Sequence, residues 1–205
     1  MSRSRLAAVL LTLLAATSPA RAQPVAPRAD TLKARAAEVY KGDPDAARKV
    51  RVEELFGLYL VDPPRRHASE RVELTPGGVT LNYWQPLGES TDAMLIARAV
   101  QFFLLGRTQF GAGVRSIFDA LSAVSEVTLV FHEVSRHEGG SKQQHGRRAG
   151  DETVTPYLRL RLSRSRFERL KLAAVEKCVA AADCATVFRV AFDEARFDRK
   201  GLKIR

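Results

Sequence analysis

Apolar and polar positions along this chain change period several times, and each change marks an element. Leu32, Ala36, Val39 and Tyr40 recur at helical spacing behind Asp30-Thr31, which predicts a helix through Lys41 that ends at Gly42. Asp43-Pro44 restarts a helix that carries Val50, Glu54, Leu55 and Leu58 to about Leu60, and Asp62-Pro63-Pro64 stops it. Residues 30–61 therefore read as a helical hairpin. Arg71–Leu74 and Val79–Gln85 flank Thr75-Pro76-Gly77-Gly78 and predict a β-hairpin. In its second strand Val79, Leu81 and Tyr83 fall on one face, and Thr80, Asn82 and Trp84 on the other. Ser90-Thr91 precedes a helix with Met94, Leu95, Arg98, Ala99, Phe102 and Phe103, and a second helix carries Val114, Ile117, Phe118 and Leu121.

Glu126–Ser135 alternates as a strand, and so does Val154–Arg161. Between them residues 136–153 are polar, Gly-rich and aperiodic, the pattern of a long mobile loop. Ser163 or Ser165 heads a helix with Phe167, Leu170, Ala174 and Val175 facing inward. The last segment, about 186–193, alternates as a strand, although its Phe spacing also fits a helix. The order predicts an α+β fold: a mainly antiparallel sheet of about four or five strands with helices on one face, preceded by the helical hairpin.

The first 22 residues stand apart from this pattern. Arg3 and Arg5 precede the 11-residue, mostly apolar stretch Leu6–Ala16, Pro19 follows, and Ala20-Arg21-Ala22 places small residues where a signal peptidase reads. Spanning hydrocarbon takes roughly 20 residues, so a cleaved secretory leader of bacterial type is expected rather than an anchor. Residues 23–29 read as a disordered linker, and residues 30–205 as a single α+β domain. Periplasmic or secreted localisation follows, with no transmembrane segment after cleavage. The two cysteines, Cys178 and Cys184, then read as a disulfide.

The chain has 33 Lys+Arg against 23 Asp+Glu. The leader holds Arg3, Arg5 and Arg21 and no acid, which leaves 30 basic residues against 23 acidic. The plain meaning of this excess is solubility. The functional one is attraction to anionic surfaces, and Arg159, Arg161, Arg164 and Arg166, with Arg169 and Lys171, supply a candidate basic sheet face. An export address points to an envelope protein, or to anionic lipid or polymer, as the partner. Nucleic-acid binding is disfavoured, because few aromatics stand among these arginines.

His132, His137 and His145 form a second candidate set. His132-Glu133…His137 is one residue longer than the zinc-protease HExxH and sits on a strand, so no metal or cofactor is assigned. Trp84 reads as core or as the wall of a ligand groove. No nucleophile elbow or converging carboxylate pair is evident. The leading expectation is a non-catalytic binding or accessory protein of the cell envelope. A hydrolase for an anionic or cell-wall substrate, with the His132/His137/His145 loop near its site, is the alternative.

Overall fold

A computed structural model describes residues 29–57, 65–85, 90–106, 113–136, 152–199 and 202–204. The expected leader, most of the 23–29 linker and residues 137–151 of the expected loop lie outside the described residues. Arg136, Glu152 and Thr153, expected in that loop, belong to strands instead.

The fold is α+β. Helices Ala29–Val39 (α1) and Ala46–Phe56 (α2) come first, then a 3-10 helix, Arg65–Glu70. The strands Val72–Thr75 (β1) and Gly78–Gln85 (β2) pair antiparallel across the Pro76-Gly77 turn. Helices Asp92–Leu104 (α3) and Val114–Ala120 (α4) lead to Glu126–Arg136 (β3) and Glu152–Ser163 (β4). Arg164–Phe167 (α5), Leu172–Ala180 (α6), Ala185–Val190 (α7), Glu194–Arg199 (β5) and Leu202–Ile204 (β6) complete it. The sheet has six strands in the order β1-β2-β3-β4-β5-β6.

All neighbouring strands pair antiparallel except β2 and β3, which run parallel from Gly78↔Glu126 to Gln85↔Glu133. A parallel pair needs a long crossover connection, and the segment holding α3 and α4 supplies it. Thr91 caps α3 by accepting from the Met94 N–H at 3.3 Å. Gly113 starts α4 at a positive φ of 59°, and a Cβ there would lie 2.6 Å from the Phe103 carbonyl oxygen. Only glycine fits that approach.

The strand expected at 186–193 is not formed; α7 occupies most of it, and the strand begins at Glu194. The Phe188 N–H donates to the Cys184 carbonyl, and Ala191 to Val187, as helical backbone does. Phe188 and Phe192, four residues apart, are both buried, whereas Val190 between them is 61 % exposed. Alternation would have placed all three on one face. The single helix expected after β4 is likewise two pieces, α5 and α6.

Val79, Leu81 and Tyr83 of β2, Val127, Leu129 and Phe131 of β3, Leu158, Leu160 and Leu162 of β4, and Phe197 of β5 share one buried cluster with helical residues that include Phe56, Phe103, Ile117, Val175 and Phe188. Burying this apolar surface is the main term stabilising the fold. The alternate sheet positions, Glu73, Thr80, Asn82, Val130, His132, Arg159, Arg196 and Asp198, remain for the second face. Among the described residues no helix is long and apolar enough to cross a membrane.

Candidate functional site

These alternate positions line an open cleft of about 370 Å³, a size within the range of small-ligand sites. β1 contributes Glu73, β2 Thr80 and Asn82, β3 Val130 and His132, β4 Pro156 and Arg159, and β5 Arg196 and Asp198. The register that brings them together has one irregularity. Phe131 pairs with Leu158 but His132 with Pro156, so Tyr157 is an extra residue in β4. Its hydroxyl accepts a hydrogen bond from Gln85 Nε2.

At one end His132 is tightly specified. Asn82 Nδ2 donates to the Glu70 carbonyl oxygen at 2.6 Å and to Glu73 Oε1 at 3.0 Å. That fixes the amide so that Oδ1 faces His132 Nε2 at 2.9 Å. An amide oxygen only accepts, so Nε2 carries the proton and the neutral ring keeps its lone pair on Nδ1. Nδ1 is buried and has no hydrogen-bond partner among the described residues. The ring stacks on Trp84 with centroids 5.3 Å apart, and His67 of the 3-10 helix stacks on Trp84 at 6.2 Å. His67 Nδ1 is 2.8 Å from Glu70 Oε2. Burial, reinforced by the nearby His67 and opposed by Glu70, holds the His132 pKa below the usual histidine value.

The other end carries the arginines. Arg159 and Arg196 are cross-strand partners on β4 and β5, and Arg161 pairs with Glu194. The Glu194 carboxylate serves all three: Arg196 Nε at 2.8 Å, Arg161 Nε at 3.3 Å and Arg159 Nε at 3.7 Å. Arg161 NH1 also reaches Glu126 Oε2 at 3.3 Å. Although Arg161 Nε lies 3.3 Å from Glu194, it makes no aligned hydrogen bond, so that pair is charge proximity alone. Arg159 is beyond hydrogen-bond reach of Glu194, and its guanidinium is half-exposed at the cleft. A cross-strand arginine pair is repulsive by itself, and Glu194 offsets this.

The two remaining candidate arginines are elsewhere. Arg164 donates to the backbone oxygens of Phe118, Leu121 and Val124 at 2.6–3.1 Å and covers the Phe118 ring. Arg166 donates to Val190 and Ala191 and lies 3.7 Å from Asp193. Both tie the segment after β4 to its surroundings, and neither lines the cleft. Of the histidine set only His132 is at the cleft, while His137 and His145 lie outside the described residues. Among the described residues no group of three His, Cys, Asp or Glu side chains could hold a metal ion. Cys178 and Cys184 form a disulfide that joins the end of α6 to the start of α7.

Sequence reasoning missed Asn82, His67 and Arg196. Asn82 was visible as the residue between Thr80 and Trp84 on one strand face. Arg196 lies among mixed acidic and basic residues near the end of the chain, where nothing local singles it out, and His67 carries no periodic signal. No family model matches the chain, and no curated protein or solved structure matches it.

Proposed function

We propose that this protein is a non-catalytic, secreted or periplasmic binding module of the cell envelope that takes an anionic lipid or polymer group at the cleft rim formed by Arg159 and Arg196, with Arg161 beside Arg159 on the same sheet face but outside the cleft lining. One observation carries the reading: Arg159 lines a ligand-sized cleft next to Arg196, with its guanidinium held by charge rather than by hydrogen bonds. An oxyanion entering there gains charge-assisted bonds from Arg159 without displacing any that exist. Glu73 and Asp198 also line the cleft, so it selects where an anion sits rather than acting as a uniformly positive surface. The disulfide and the leader pattern of residues 1–22 support an oxidising compartment outside the cytoplasm.

Heparin chromatography of the full chain tests this reading. Retention should be salt-sensitive, and Arg159→Glu with Arg161→Glu should elute at clearly lower salt. Arg169→Glu with Lys171→Glu removes equal charge from exposed positions that do not line the cleft, and should shift elution less. Equal shifts, or none, would sink the rim as the binding site.

The hydrolase alternative keeps one supporting observation, the unbonded Nδ1 lone pair of a neutral His132. Hydrolysis of acetylated or phosphorylated glycan fragments that disappears in His132→Gln would favour it.

A further inference from the structure

We propose that His132 is a proton-controlled cation of this cleft: clamped and neutral when the cleft is free, it takes a proton at Nδ1 when an anion occupies the Arg159–Arg196 rim. The inference rests on the anion-binding reading above and adds to it a coupling between ligand and proton.

The geometry supplies each part. Asn82 holds the ring by Nε2, so Nδ1 is the only nitrogen left to accept a proton. His132 and Arg159 line the same cleft, so an anion at the rim and a charge on the ring share one space. The charged groups facing the ring are His67 and Glu70 from the 3-10 helix, Glu73 from β1, Arg159 from β4, and Arg196 and Asp198 from β5. In the free protein burial, and then His67, oppose a positive charge on the ring. An anion at the rim adds a negative charge to the same cleft, and its attraction for a protonated ring offsets part of that opposition. By linkage, the anion raises the proton affinity of His132 by the same factor as the proton raises affinity for the anion. Burial, which favours the neutral ring, is consistent with the unliganded state.

Trp84 is the only tryptophan of the chain and stacks on His132, so its emission reports the charge on that ring. Heparin suits the ligand arm because its sulfates stay ionised throughout pH 5–8. At fixed ionic strength the full chain should bind heparin oligosaccharide about fivefold more tightly at pH 5.5 than at pH 8, the effect of one added charge in a solvated site. His132→Gln keeps an amide donor for Asn82 and should bind equally at both pH values, while His67→Gln should retain the dependence. Without any variant, heparin should move the pH midpoint of Trp84 emission upward in the wild-type chain.

A wild-type midpoint that heparin leaves in place overturns the inference and spares the binding reading. So does a pH dependence that persists in His132→Gln or vanishes in His67→Gln. Heparin binding that ignores Arg159→Glu with Arg161→Glu overturns both.

Discussion

Glu53 of α2 is fully buried, and its two oxygens are shared between neighbours distant in sequence. Tyr40 donates its hydroxyl to Oε1 at 2.6 Å, and Arg71 NH1 reaches Oε2 at 3.2 Å. Burial pushes the Glu53 pKa up, and the Arg71 charge only partly opposes this. Desolvating such a pair costs about as much as it returns, but removing Glu53 takes a buried counter-charge from Arg71 and a buried acceptor from Tyr40. Glu53→Ala should therefore cost about 3–5 kcal/mol, read as a lower urea midpoint at unchanged slope. A loss below about 1 kcal/mol would show that the other contacts of Arg71 compensate for the missing carboxylate. His132 makes a pH prediction at the same scale. Its folded pKa lies below its unfolded one, so the unfolded chain binds the proton first as pH falls. This contribution to stability is fully present above about pH 6.5 and is lost below it, down through the folded pKa. Thermal midpoints between pH 7 and pH 5 should fall less in His132→Gln than in the wild type. Parallel curves would assign the acid loss to other groups.

Among the elements, the strands were the most legible. Alternation in 79–85, 126–135 and 154–161 is visible residue by residue, and β2, β3 and β4 appear where it predicts them, β4 with two more residues at each end. The region after β4 was less legible because its helices are short. α5 and α7 have four and six residues, too few to display a 3.6-residue period. α7 in particular begins directly after Cys184, where the disulfide accompanies the turn. That cross-link closes a separation of only six residues, so its removal by Cys178→Ala with Cys184→Ala should cost about 2 kcal/mol. Chemical denaturation measures the loss. An unchanged midpoint would mean that packing around Phe188 alone holds α6 and α7 together.

For the molecule as a whole, a buried cluster shared by helices and sheet leaves the other sheet face to carry polar chemistry. The compartment proposed for it has its own test. Expression of the full chain in a bacterial host should yield a product whose first residue is Gln23, by N-terminal sequencing of the extracytoplasmic fraction. A product that retains Met1–Ala22, or that stays in the cytoplasm, would remove the export proposal and leave the cleft chemistry standing.

The sequence by itself determined which residues of β2, β3 and β4 turn inward, because the strand period is a local property of the chain. It also presented the cysteine pair and the arginine alternation of Arg159 and Arg161. Only the tertiary structure decided that β2 and β3 run parallel, that Asn82 meets His132 fifty positions away, and that Arg159 stands opposite Arg196. Those contacts depend on strand order and register. Register is selected by burial of the apolar face as a whole, so no single segment encodes which polar residues will become neighbours on the other face.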